Sequence, residues 1–375
     1  MFPADRLKDA AMTNLHIGDP APWFIAPASN NPRFVFASAG GRHIVLTFYG
    51  SAADPEGGEA IRRIEAAAAL FDDTHCAFFG VTADPADRDQ GRVTPNRNGY
   101  RFFWDTESEV ARLYDVLDEN GRMRLTTVIL DPNLRVLGRI TLPDGAAHAQ
   151  ALLDIVPRLP RSPPPAAAAM QAPILVVPRV FEPEFCRHLI GLYEANGGEE
   201  SGFVRDEDGR TRLVVDHTHK RRQDYIIAEE SVRNAARARI RRRLLPEIQK
   251  AFQYGVTRME RYIVCCYDAG TGGYFRPHRD NTTKGTAHRR FAVTLNLNAE
   301  EFEGGELRFP EYGSHLYKPP TGGAVVFSCS LLHEAMPVRS GRRYVFLPFL
   351  YDDAAAAIRE QNNAYLDESI GAYNR

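Results

Sequence analysis

The segment Tyr274-Phe275-Arg276-Pro277-His278-Arg279-Asp280, with His333 and Arg343 further along, holds the residues of this chain best suited to chemistry. Two imidazoles and a carboxylate, one donor arriving from a distant strand, match the facial arrangement that binds non-haem Fe(II) and leaves three coordination positions open. Oxygen chemistry requires such open positions. Arg343 lies ten residues beyond His333, where a fixed cation could hold the far carboxylate of a keto-acid cosubstrate through two hydrogen bonds. His217-Thr218-His219 is a rival metal pair. Lys220-Arg221-Arg222 beside it would repel a cation, so it reads as a loop over the site entrance.

The elements that must position these groups lie in a chain of 375 residues, long enough for two domains with a core each. The hydrophobic fraction of 44% and charged fraction of 25% are those of a soluble globular protein. A net charge of -2 gives no general basis for nucleic-acid or membrane affinity, and neither partner is expected. Five cysteines without a C-x-x-C read as buried thiols in a reducing compartment. The start of the chain, Met1 to Asp9, has no long apolar core, and no apolar run reaches the about 18 residues of a membrane helix. A cytoplasmic location is expected.

A Pro/Ala-rich stretch over residues 159–173 divides the chain near its middle and favours an extended, semi-rigid spacer. Before it, strands are expected at His43 to Tyr49, Cys76 to Thr82, Thr126 to Leu130 and Arg135 to Ile140, with helices at Gly58 to Phe71, Glu107 to Leu117 and Ala146 to Val156. This is a three-layer α/β pattern. After the spacer, a helix opens at Glu182-Pro183 with Phe185, Leu189, Ile190 and Tyr193 on its apolar face. Strands are expected at Arg212 to Val215, Asp224 to Ile227, Met259 to Tyr267, Arg290 to Asn298, Glu306 to Phe309, Ala324 to Ser328 and Tyr344 to Tyr351. Short strands with Gly-Gly and Pro-Pro turns suggest a jelly roll. Arg237 to Leu245 reads as a solvated helix surface, with Ala235, Ile240, Leu244 and Ile248 spaced for one buried face.

The loop Tyr267 to Tyr274, the H-x-D pair, Glu303-Gly304-Gly305-Glu306-Leu307 and Pro319-Pro320-Thr321-Gly322-Gly323 before His333, taken together, resemble the prolyl 4-hydroxylase-like branch of the Fe(II)/2-oxoglutarate oxygenases, over residues 174–353. The resemblance implies a double-stranded β-helix in which His278, Asp280 and His333 bind iron and Arg343 pairs with the 5-carboxylate of 2-oxoglutarate. It implies that Tyr267 lies over the cosubstrate; Thr294 and Asn296, on one face of a neighbouring strand, are candidates for further hydrogen bonds. The implied chemistry couples decarboxylation of 2-oxoglutarate to succinate and CO2 with hydroxylation of a C–H bond, with O2 as second cosubstrate and ascorbate as reductant. The substrate is a small molecule or a peptidyl residue, proline among the candidates.

Ile17-Gly18-Asp19-Pro20-Ala21-Pro22, Phe48-Tyr49-Gly50, Gly80 to Asp84 and Arg124 to Asp131 resemble a peroxiredoxin with its thioredoxin-like fold, over residues 13–158. Arg124 falls where that family's activating arginine would sit. The loop Ser51 to Glu59, where the resemblance implies a nucleophilic cysteine at a helix start, contains no thiol. Cys76 begins a central strand and reads as an inert core residue. A catalytically silent scaffold is expected, with homodimerisation through this domain as its role.

The expected layout is thus a peroxiredoxin-like domain at 13–158, a linker at 159–173, an oxygenase domain at 174–353 and a tail at 354–375. The leading reading is a hydroxylase. The alternative is a metal-holding binding or redox-sensor protein that uses its first domain as an interaction module.

Overall fold

The computed structural model describes residues 15–94, 98–167, 170–368 and 370. The chain start, including residues 13 and 14 of the first expected domain, Ala168 and Ala169 of the linker, and the end of the expected tail lie outside the described residues. Two compact units divide the chain, Met1–Ala166 and Ala167–Arg375. Residues 160 to 167 are exposed and form neither helix nor strand. Among the described residues no helix is long and apolar enough to cross a membrane. All five cysteines are buried free thiols.

In the first unit the apolar run His43–Gly50 lies beside the central strand of a seven-stranded sheet among the described residues. The order is Asn31–Val35, Ile25–Ala28, Tyr100–Trp104, Cys76–Thr82, His43–Gly50, Thr126–Leu130, Val136–Ile140. The three middle strands, from Tyr100–Trp104 to His43–Gly50, run parallel, as buried strands joined by helical crossovers do. Alternation sends Val45, Phe78, Phe102 and Ile129 to one face, against Ile61, Ile64, Ala149 and Leu152 of the helices Pro55–Ala66 and Gly145–Ile155. Ile44, Leu46, Phe79, Phe103 and Val128 go to the other, against Phe36, Val110 and Ala111. The expected three layers are present.

Several boundaries differ from expectation, each for a local reason. The first helix starts at Pro55 rather than Gly58, because proline at the first helical position sacrifices no hydrogen bond. The expected helix Glu107 to Leu117 shrinks to Glu109–Leu113, since Asp115 takes a left-handed φ of 52° and stops it. The strand Tyr100–Trp104 and the hairpin Ile25–Ala28/Asn31–Val35 escaped the sequence reading; prolines inside the hairpin mask its pattern.

The second unit opens with the helix Pro183–Asn196, whose Phe185, Leu189 and Tyr193 are buried as expected. A large antiparallel sheet contains Ile263–Asp268, Arg342–Phe346, Phe291–Asn296 and Ala324–Ser328; a smaller one contains Lys220–Arg221, Tyr274–His278, His333–Ala335 and Leu307–Arg308. Side chains of both sheets share two clusters, one around Cys265, Phe275, Ala335 and Val345, the other around Ala292, Phe309, Phe327 and Leu307. The sheets therefore face each other across a common core. Met259 to Tyr267 is broken at Arg261 (φ 67°), and Tyr344 to Tyr351 is broken before Phe349, where Pro348 lacks an amide donor. Residues beyond 353, expected as a tail, begin with the helix Asp353–Gln361, capped by the Asp352 carboxylate.

The arginine-rich helix Glu230–Arg243 ends at Leu244, and Pro246 opens a second helix, Leu245–Phe252. Its arginines are not all solvated. Arg243 is buried and donates to the Val180 carbonyl (3.1 Å) while meeting Glu182 at 2.8 Å; Arg239 meets the same carboxylate at 2.6 Å. Burial would raise the Glu182 carboxyl, but the two guanidiniums bring it down to about 2. A carboxylate depressed in the folded state stabilises the fold above its unfolded pKa, and that contribution disappears as pH falls toward the folded value. Arg243→Met should therefore lower the melting temperature near neutral pH, with the gap to wild type closing between pH 4.5 and 2. A pH series of thermal melts checks this; a constant gap would assign the loss to packing alone.

Candidate functional site

The antiparallel pairing of Tyr274–His278 with His333–Ala335 sets His278 directly opposite His333, after an irregularity between Phe275 and His278 where Pro277 withholds its amide. The ring centroids are 4.3 Å apart. Asp280 follows in the next turn, its amide donating to the Cys329 carbonyl at 3.0 Å. His278 Nε2 lies 3.6 Å from one Asp280 carboxylate oxygen and His333 Nε2 3.4 Å from the other. One donor atom from each residue falls within 4.8 Å of the others, the only such group of three among the described residues.

Each imidazole is oriented from behind. Nδ1 of His278 meets the Arg276 carbonyl at 2.8 Å and Nδ1 of His333 meets the Leu331 carbonyl at 3.1 Å. A carbonyl only accepts, so Nδ1 carries the proton and the Nε2 lone pairs turn toward Asp280. Burial pulls the His333 pKa down to about 4, which keeps the ring neutral at physiological pH. Burial alone would raise the Asp280 carboxyl; His333 and His278 in their protonated forms, with Arg289 near them, hold it below the usual carboxylate range. Two imidazole nitrogens and one carboxylate oxygen on one side of a gap are the donor set a divalent metal takes.

These residues line a cavity of about 430 Å³. Arg343 and Tyr267 line it too, brought together as direct partners in the pairing of Ile263–Asp268 with Arg342–Phe346. The Arg343 guanidinium carbon is 4.9 Å from the Tyr267 ring centroid. Arg343 is 2% exposed, its Nε has no hydrogen-bond partner, and no carboxylate lies within ion-pair distance of it among the described residues. A buried cation without a counter-ion costs several kcal/mol, of the order usually seen for such groups. The neighbouring Arg342 is exposed and paired with Asp268 at 2.9 Å. Gly305, in the left-handed region at φ 67°, packs onto Arg343: a Cβ there would come within 2.7 Å of its Cδ.

Thr294 is buried and lines the cavity. Asn296 is not among the lining residues; its amide donates to the Pro319 carbonyl at 2.7 Å. The rival pair separates. His217 meets Glu200 at 3.1 Å, whereas His219 packs on Phe203 and lines the cavity without joining the triad. Lys220 and Arg222, read from sequence only as a repulsive flank, are buried cavity-lining cations. Their two-residue spacing, which puts both on one face of an extended segment, was the available signal.

In the first unit, Gly57 and Arg124 line one cavity of about 670 Å³. A Cβ on Gly57 would come 2.3 Å from the Tyr49 carbonyl oxygen, so the helix start is packed for a residue without a side chain. Arg124 is exposed and donates to the Asp115 carbonyl at 3.0 Å. Cys76 is fully buried at the start of a central strand, and burial pushes its thiol up to about 12.

Residues 262–351 match the family model of the 2OG-Fe(II) oxygenase superfamily, and residues 17–138 match that of the AhpC/TSA family. Both resemblances read from the sequence are thus borne out. A PKHD-type hydroxylase of Synechococcus sp. (strain JA-2-3B'a(2-13)) is 33% identical over 88 residues, 22% of this chain and 38% of that protein. The chain therefore spans well under half the length of this curated relative. Among solved structures, a prolyl hydroxylase in complex with a hypoxia inducible factor peptide fragment, from Trichoplax adhaerens, is 17% identical with a TM-score of 0.37, covering 50% of this chain and 87% of the other. Peroxidoxin BcpB from Mycobacterium tuberculosis is 22% identical with a TM-score of 0.34, covering 39% of this chain and 99% of the other.

A thiolate nucleophile at the helix start is absent, and Cys76 is too buried and too weakly acidic to replace it. The full chain should show no thiol-dependent peroxide consumption, and Cys76→Ser should leave that baseline unchanged. Gly57→Cys should lower the melting temperature and still not confer peroxidase activity. Peroxide turnover lost in Cys76→Ser would overturn the inert-core assignment.

Proposed function

We propose that the second unit is an Fe(II)- and 2-oxoglutarate-dependent dioxygenase that hydroxylates a C–H bond of a small molecule or a peptidyl residue, proline included. Its domain, on this reading, runs over residues 174–353 as a double-stranded β-helix. The peroxiredoxin-like domain at 13–158 is a non-catalytic module that carries homodimerisation. The observation that carries the reading is the meeting, in one cavity, of the His278, Asp280 and His333 donors with the counter-ion-free Arg343.

His278, Asp280 and His333 would hold the metal, and the donor set fits it: two imidazole nitrogens with fixed tautomers and one ionised carboxylate. Fe(II) with 2-oxoglutarate and O2 supplies an oxidative decarboxylation, yielding succinate and CO2, that drives the hydroxylation, with ascorbate as reductant. The chain's own work is positioning. Arg343 takes the distal carboxylate of 2-oxoglutarate, which relieves the cost of its unpaired burial; the Tyr267 ring walls that end, and Thr294 offers a hydroxyl from the neighbouring strand. Phe275 stacked on His278 at 3.5 Å and Phe327 edge-on to His333 at 4.5 Å keep water from the back of both rings.

Asp280→Ala removes the only anionic donor, so purified protein should lose its bound iron by elemental analysis and all 2-oxoglutarate turnover. Full iron content and turnover in His333→Ala would refute the ligand set. Loss of the charge-assisted contact in Arg343→Ala costs about 2–4 kcal/mol, so 2-oxoglutarate affinity should fall roughly 30- to 1000-fold with iron retained. Equilibrium titration of 2-oxoglutarate under anaerobic conditions measures it.

A further inference from the structure

The cavity carries more positive charge than the proposed iron and cosubstrate can neutralise. Of its lining cations, Arg279 is paired with Glu311 at 2.7 Å and Arg289 with Glu260 at 2.8 Å. Arg222 grips Asp224 through two bonds of 2.6 and 2.7 Å, and Arg261 leans on the same carboxylate at 3.3 Å. Arg222 and Arg261 share that one carboxylate, and three further lining cations have no carboxylate within ion-pair distance among the described residues: the buried Arg343 and Lys220, and the exposed Arg205. On the reading of the preceding subsection, a divalent iron with Asp280 carries one net positive charge and Arg343 a second. The two carboxylates of 2-oxoglutarate cancel both. Lys220 and Arg205 remain.

Lys220 is the more telling of the two. It is 5% exposed, and its Nζ donates to Ser201 Oγ at 2.7 Å and the Gly202 carbonyl at 2.5 Å. Both partners are neutral, and no carboxylate lies within ion-pair distance among the described residues. An ammonium has three donors, so one N–H is left over. Burial, with Arg222 adding to it, pulls its pKa down, the direction that an arriving anion reverses. Lys220 Nζ sits 5.0 Å from the ring centroid of Phe275, which itself stacks on His278, so the ammonium lies one aromatic ring away from the triad. Arg205 stands over the ring of Phe203 at 5.0 Å on the hairpin Phe203–Glu207/Arg210–Val214, whose residues line the cavity mouth.

We propose that the substrate carries a carboxylate and that Lys220 and Arg205 hold it beneath this hairpin, so that the enzyme acts on organic acids or acidic peptides. Phe203, His219 and Phe275 form the apolar wall against which the rest of the substrate lies. The charge pair selects against neutral substrates, since a neutral group would leave Lys220 buried without a counter-ion.

The test is ligand-observed NMR on the full chain loaded with Zn(II), which is diamagnetic, and 2-oxoglutarate, with acetate as the probe and acetamide as its neutral control. Acetate should bind the loaded protein and acetamide should not. Arg205→Gln, an exposed change that leaves the fold alone, and Lys220→Met should each weaken acetate binding tenfold or more. Acetate binding that is absent, that survives both substitutions, or that excess 2-oxoglutarate displaces overturns the proposal; displacement would give Lys220 to the cosubstrate. Failure of 2-oxoglutarate itself to bind is seen separately in the same sample and sinks the dioxygenase reading instead. Succinate release then sorts the source of the carboxylate. Stimulation by glutarate but not by its diamide indicates a free acid, and stimulation by an N-acetylated, C-amidated Glu-containing peptide but not its Gln counterpart indicates a peptidyl one. Amides that work as well as acids count against the charge pair.

Discussion

Strand register in the second unit decides where every reactive group stands. Pairing His278 with His333 across one ladder, and Tyr267 with Arg343 across another, delivers an imidazole pair and a cation with its aromatic wall to the same cavity. A slip of one residue in either ladder would send these side chains to opposite faces of their sheets, because the side-chain period of a strand is two. The devices that hold register are local. Pro277 and the irregularity after Phe275 bend one strand at the donor site, and Pro348 ends the pairing of another. Gly305 lets a loop lie against Arg343 where any side chain would displace it.

Charge compensation governs the rest of that unit. Buried ions are costly unless paired, and the fold pairs most of them: Asp224 with Arg222 and Arg261, Glu260 with Arg289, Glu182 with Arg243. Against that background the few buried cations without a carboxylate are informative. Arg343 and Lys220 are buried without a carboxylate within ion-pair distance among the described residues, which is what the ligands proposed for them rest on.

The first unit makes the complementary point about an absent group. Gly57, in the first turn of the helix Pro55–Ala66, leaves no room for a thiol-bearing side chain, since the Tyr49 carbonyl oxygen lies 2.3 Å from where its Cβ would go. Arg124 lines the cavity beside it, and the strands around it alternate apolar residues between two faces, so the layers are built with no thiol at that loop.

How much of this was legible beforehand follows from what is local and what is not. Periodicity located the buried strands His43–Gly50, Cys76–Thr82, Thr126–Leu130 and Ala324–Ser328, because that signal is contained in a few neighbouring residues, and residue type, order and spacing along the chain singled out His278, Asp280, His333 and Arg343. Edge hairpins interrupted by proline were not legible, since their pairing rests on partners elsewhere in the chain. Nor was the burial of Lys220 and Arg222, which read only as a flank that would repel a metal cation. Whether a cation is solvated, paired or left for a ligand depends on which carboxylates the fold brings within about 4 Å, the usual ion-pair distance. Sequence by itself therefore determined the donor types and their order, while tertiary structure alone decided which charges were neutralised: electrostatic pairing acts through space, and the chain order carries no record of that distance.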